Sequence, residues 1–266
     1  MGVVAKHGAV CWAVAIGLLC GVPAASQNAG TPTIPNGTEP DLKALMARGV
    51  EAYNTGVNST AVKIFREAAA QRNVEAMMYL GVMYGEGRGL PRDYSAALTW
   101  FLKASEAGNS QAMCNVGVLY FQGVGLPQNY AEAMRWFLRS ASAGNAEAAF
   151  NVGVMLRDGL GLAVNYTEAM KWFRKAADAG DSSAANAIGV LYQQGHGVPV
   201  DYVQAMTWYR TAAGAGSDTA MYNIGVLYEG GLGVPMDRDQ AIVWYRKAAA
   251  QDENARAALK SLGVKE

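Results

Sequence analysis

Histidine and cysteine are scarce in this 266-residue chain: His7 and His196, then Cys11, Cys20 and Cys114, are all it has. So thin a supply leaves no set of His and Cys ligands for a zinc site and little scope for a Cys-His or Ser-His catalytic pair. An excess of one charge is also missing, because 22 Lys and Arg face 22 Asp and Glu. A neutral chain does not bind nucleic acid or an anionic membrane through charge, so neither is expected as a partner. Disorder throughout is excluded too, since 51% of the residues are hydrophobic. Glycine is abundant at 31, yet no collagen period accompanies it, so the glycines need another explanation.

The N-terminal segment reads as a targeting signal. Lys6 and His7 are followed by an apolar run over 8–22, then by Ala24, Ala25 and Ser26. That order of basic start, apolar middle and small residues describes a secretory signal over 1–26, cut near Ala25 or Ser26. The apolar run is shorter than the ~20 residues that span a bilayer. An uncleaved anchor is the alternative. Lipid attachment at Cys20 would need a small residue before it, where Leu19 stands. After cleavage no membrane insertion is expected, and the product is periplasmic or secreted. Cleavage removes Cys11 and Cys20, so no disulfide within the chain is available. Residues 27–40 hold Pro32, Pro35 and Pro40 with Gly30 and Gly37, and read as a flexible linker.

Self-similarity organises the remainder. Tryptophan recurs at 100, 136, 172, 208 and 244, glycine at 81, 117, 153, 189 and 225, and alanine at 97, 133, 169, 205 and 241, always 36 residues apart. Each unit has a first helix, such as 112–120, a loop such as Gly123-Val-Gly125-Leu-Pro127, and a second helix, such as 130–143. In the second helix Ala133, Trp136, Phe137, Ser140 and Ala141 form one helical stripe. Asp93, Asn129, Asn165, Asp201 and Asp237 stand where N-caps of second helices belong. Asn73, Asn109, Asn145, Asp181 and Ser217 do so for first helices. Gly108, Gly144, Gly180 and Gly216 occupy helix stops that favour the left-handed conformation. The glycine inside each first helix costs roughly 1 kcal/mol against alanine. Its recurrence implies a close helix–helix approach with no room for a side chain.

The pattern Ala-x-x-Asn-Val-Gly-Val-Leu-Tyr, Gly-x-Gly-Val/Leu-Pro, then Asx-Tyr-x-x-Ala-x-x-Trp-Phe/Tyr resembles the Sel-one-like repeat, a relative of the tetratricopeptide repeat with a longer internal loop. The resemblance covers five repeats over 76–251. It implies an all-α fold, a right-handed α/α superhelix of stacked antiparallel helix pairs, about thirteen helices in all. Before the repeats, 41–75 reads as a shorter, tetratricopeptide-like unit, since Gly49 precedes Gly81 by only 32 residues. After them, 252–266 reads as a capping helix. No helix pair buries its apolar face alone; stacked neighbours bury it for one another.

Few residues invite a catalytic reading. The Gly-x-Gly loops lack the GxxxxGK[ST] form, and their recurrence marks them as turns. The tryptophan column reads as core or inter-repeat packing, and Met134, Met170 and Met206 as core filling. Cys114 and His196 are two repeats apart, on the order of 20 Å or more, too far to share a proton. His196 occupies a variable loop column and is expected to be exposed. Cysteine-rich relatives with a proposed penicillin-directed activity do not extend to this chain: none of its eleven serines has Lys three residues on. No catalytic residue, metal or cofactor is expected.

By the same resemblance the first helices line a concave face. Three of their columns vary while the framework repeats: Met78, Cys114, Phe150, Asn186 and Tyr222; then Gly85, Phe121, Arg157, Gln193 and Glu229; then Glu86, Gln122, Asp158, Gln194 and Gly230. The candidate groove is Met78, Cys114, Phe121, Phe150, Arg157, Asp158, Asn186, Gln193, Gln194, Tyr222 and Glu229. Apolar anchors beside directional polar groups suit a peptide or protein partner. The expected function is a non-enzymatic scaffold or adaptor of the bacterial cell envelope. The alternative is a binder of cell wall or exported polysaccharide, with a glycan as ligand, or an envelope enzyme resembling a hydrolase.

Overall fold

A computed structural model describes residues 39–264, with no side-chain description for 39 and 40; the expected signal peptide and nearly all of the linker lie outside these residues. The chain divides at Gln128/Asn129 into two units. In the first, α1 (Glu39–Asn54), α2 (Asn58–Ala70), α3 (Val74–Glu86), α4 (Tyr94–Glu106) and α5 (Ser110–Gln122) each pack on the helix next in sequence. In the second, α6 (Tyr130–Ser142), α7 (Ala146–Asp158), α8 (Tyr166–Asp178), α9 (Ser182–Gln194), α10 (Tyr202–Gly214), α11 (Asp218–Gly230), α12 (Arg238–Ala248) and α13 (Glu253–Ser261) do the same. The described residues thus form thirteen helices and no strand, an all-α stack of helix pairs in each unit. The first helix begins at Glu39, two residues inside the expected linker.

Local chemistry sets the boundaries. From α3 to α12 the ten expected cap residues all accept a backbone N–H three residues on, as Asn145 Oδ1 does from Ala148 N at 2.7 Å. Asp252 caps α13 in the same way. The helix stops are left-handed, with Gly180 at φ 93° and Asp181 N–H donating back to Ala176 O at 3.0 Å. Arg72 fills that position between α2 and α3, at φ 62°, and is the non-glycine residue with positive φ among those described.

The helical glycines meet the ring that follows each tryptophan. A Cβ on Gly153 would fall 2.6 Å from Phe173 Cδ1 and Cε1, and one on Gly189 2.5 Å from Tyr209 Cε1. Gly49 meets Phe65 in the same manner. Phe65 and Phe101 in the first unit and Phe137, Phe173 and Tyr209 in the second are fully buried and Tyr245 nearly so; in each unit these rings form the core column. The second loop glycine joins successive repeats: Gly161, at φ 76°, lies so close to Tyr130 that a Cβ would stand 2.5 Å from the tyrosine's own. In the first unit Arg88 ties a repeat loop to α1, donating to Tyr53 O at 2.7 Å with its guanidinium 3.7 Å from the Tyr53 ring centre.

The five tryptophans of the repeats lie one residue outside this core and are half-buried. Trp208 and Trp244 both pack against the cluster of Met206, Tyr209, Ile224 and Leu227, which is packing between repeats. A cation one helical turn on lies over four of the five rings: Lys103 on Trp100, Arg139 on Trp136, Lys175 on Trp172 and Lys247 on Trp244, at 4.1–5.1 Å. Met170 and Met206 are buried in the core, while Met134 is half-buried.

Candidate interaction face

The variable columns lie on α3 and α5 in the first unit and on α7, α9 and α11 in the second, so each unit carries its own part of the predicted groove. In the first unit two predicted groove residues are corrected. Met78 is 2% exposed and Cys114 fully buried, so neither offers surface to a partner. Met78 Sδ instead takes Asn115 Nδ2 at 3.5 Å, a contact between first helices of consecutive repeats. Phe121 is half-buried near the end of α5, and its carbonyl accepts from Gln128 Nε2 at 2.8 Å.

The second unit keeps its predicted residues at least partly accessible. Phe150, Asn186 and Tyr222 are all half-buried. The Phe150 ring tilts against Phe173 at 5.6 Å and that of Tyr222 against Tyr245 at 5.6 Å, so the core column supports both anchors from beneath. Asn223 Nδ2 donates to Asn186 Oδ1 at 2.9 Å, joining α11 to α9. Arg157 pairs with Asp158 through two bonds, Nε to Oδ1 at 2.6 Å and Nη2 to Oδ2 at 2.8 Å. Its guanidinium also stands 6.0 Å from the Phe173 ring centre. Gln194 ends α9 and is exposed.

Gln193 and Glu229 have a structural duty that single columns do not reveal. Tyr209 donates its hydroxyl to Gln193 Oε1 at 2.6 Å, and Tyr245 donates to Glu229 Oε2 at 2.6 Å. Where the core ring is Phe173, the residue sixteen positions back is Arg157; where it is tyrosine, that residue is an acceptor. Reading the two columns together carries this signal, because a buried hydroxyl must find a partner. Asn223 was likewise absent from the predicted set. His196 is corrected as well: it is half-buried, stacked on Tyr166 with centres 4.4 Å apart and planes 15° apart.

Burial pushes the Tyr209 hydroxyl above the usual tyrosine range. Burial, then the bond to Glu229 and its charge, does the same for Tyr245, and burial lifts Tyr79 to about 12. The folded state therefore binds these protons more tightly than the unfolded chain. Stability is fully present below the ordinary tyrosine value of about 10 and falls as pH rises above it toward the folded values. In urea unfolding, the loss of midpoint between pH 8 and pH 11 should shrink in the Tyr209→Phe/Tyr245→Phe variant. An unchanged loss would show that these hydroxyls do not govern alkaline stability.

Among the described residues no group of three or more His, Cys, Asp or Glu could hold a metal ion. No described helix is long and apolar enough to cross a membrane. Stacked helix pairs, repeated caps and a first-helix surface of aromatic and amide groups define an α-solenoid repeat protein. The matched model of the Sel1 repeat covers 74–109, 110–145, 146–181, 182–217 and 218–253, and the chain belongs to the Sel1 repeat family. This is a repeat class that builds protein–protein interaction scaffolds and is typically non-catalytic.

Solved structures agree. The Sel1 repeat protein from Oxalobacter formigenes is 33% identical, with a TM-score of 0.77 over 81% of this chain and 89% of that one. The antigen c5321 of uropathogenic Escherichia coli, which displays this repeat fold, is 33% identical with a TM-score of 0.70. That match covers 83% of this chain but 49% of c5321, so the chain spans about half its length. The immunity protein Pa5087 from Pseudomonas aeruginosa shares the fold at 17% identity and a TM-score of 0.54, over 83% and 84% of the two chains. None of the curated proteins compared with the chain matches it.

Proposed function

We propose that this chain is a non-enzymatic adaptor of the bacterial cell envelope that holds an extended segment of a protein partner. The segment would lie on the concave side lined by the first helices of the second unit. The observation that carries this reading is the pair of half-buried rings, Phe150 and Tyr222, each backed by a core ring, with Asn186 between them in sequence and bonded to Asn223, the residue after Tyr222. Rigid aromatic anchors beside oriented polar groups concentrate binding energy at low entropic cost. Two further points support it: an interaction-scaffold family, and an N-terminal sequence patterned as an export signal.

The test is affinity capture from envelope extract with the chain from Gln27 onward as bait, beside a Phe150→Ala/Arg157→Ala variant. Urea unfolding verifies that the variant folds. A partner should be retained by the unmodified chain and lost by the folded variant. Equal retention by both would remove the face from the reading. Capture of cell-wall fragments alone would replace the protein partner with a glycan.

A further inference from the structure

The core ring and its partner sixteen residues earlier change character along the second unit: Phe173 with Arg157, Tyr209 with Gln193, Tyr245 with Glu229. The face therefore passes from a cation through an amide to an anion. At the cationic end the charge is cancelled locally, since Asp158 holds Arg157 in a two-bond ion pair. At the anionic end none of the described ion pairs involves Glu229. Its Oε2 accepts from the Tyr245 hydroxyl, which fixes the carboxylate in place, while the residue itself is exposed. Tyr222 stands seven residues before Glu229, two turns back on the same side of α11, and its ring tilts 34° from that of Tyr245. A positioned carboxylate and a half-buried tyrosine ring on one face of a helix form the elements of a cation-recognition corner.

We propose that this corner on α11 and α12 binds the cationic side chain of a lysine or arginine in the partner segment, with Glu229 as its ion-pair acceptor and Tyr222 as its aromatic wall. The inference rests on the first-helix face of the second unit being the peptide-binding surface. Charge decides the occupant, because Asp158 neutralises Arg157 at one end of the face while Glu229 joins none of the described ion pairs at the other. A neutral sugar or an acidic peptide would leave the Glu229 carboxylate without a counter-charge. Because the cation sits near the α11 end of the face, it also fixes the direction in which the segment lies.

The probe is a random dodecapeptide library displayed on phage, selected on the chain from Gln27 onward and on its Glu229→Gln and Glu229→Lys variants. Glu229 is exposed, and Tyr245→Phe serves as a control that removes only the hydroxyl. Peptides selected by the unmodified protein should be enriched in Lys or Arg at one position. Replacing that residue with norleucine should weaken binding about tenfold, and the difference should shrink as ionic strength rises. The Glu229→Gln variant should lose the enrichment, and Glu229→Lys should turn it toward Asp and Glu. Peptides that bind and depend on Phe150, yet show no preference for a cation, would overturn this inference and leave the binding face standing. If no peptide is selected, both fail together.

Discussion

Gly153→Ala is expected to destabilise the protein by about 2 kcal/mol, although helix propensity alone favours alanine by about 1 kcal/mol. The sign is decided by space. The new Cβ would lie 2.6 Å from two carbons of the Phe173 ring, and that ring is fully buried in the core column. Neither group can withdraw without shifting a packed helix, and overpacking of this kind typically costs about 1–3 kcal/mol. Urea unfolding should show a lower midpoint for Gly153→Ala. Combining it with Phe173→Leu should cost less than the two single changes added together, since the smaller side chain makes room for the methyl group. Full additivity, or a stabilised Gly153→Ala, would show that the close approach does not require glycine.

Phe173→Ala should cost about 3–5 kcal/mol, while Trp172→Ala should cost no more than about half as much. Phe173 loses a ring that is fully buried against Gly153 and Phe150, and leaves a cavity. Trp172 keeps part of its surface in water in the folded state, with Lys175 4.9 Å from its ring centre, so its removal forfeits only part of the transfer energy. The measurement is the same urea midpoint for both variants. Equal losses would mean that the tryptophan column contributes as much to the core as the ring beside it.

That contrast shows where the sequence was legible and where it was not. Trp172 and its equivalents mark the period because the residue is rare and invariant among the copies, but recurrence does not measure burial. The core residue is its neighbour, which is Phe in three copies and Tyr in two and so is the weaker marker. The Phe/Tyr exchange matters through a contact sixteen residues away, which only the packing of two helices brings into being. Met78 and Cys114 show the same limit from the other side. Their column holds Phe150, Asn186 and Tyr222 in later copies and so reads as part of one groove, yet both are buried, Met78 with its Sδ against Asn115 Nδ2. The variable column of His196 predicts an exposed loop residue, whereas the stack on Tyr166 covers one face of its ring.

The sequence by itself determined the helix pairs, their boundaries and the repeat unit. Each of these depends on interactions a few residues apart: a cap oxygen and the N–H three residues on, a glycine at positive φ, an apolar stripe with helical period. It also placed Phe150, Arg157, Asn186 and Tyr222 in columns that vary within a constant frame. Only the tertiary structure decided which members of those columns meet solvent, which ring fills the core, and which polar groups are already engaged by a buried hydroxyl or a neighbouring charge. Such outcomes depend on how closely two helices approach. That distance is set by side-chain volumes contributed from different helices, and no single helix contains both.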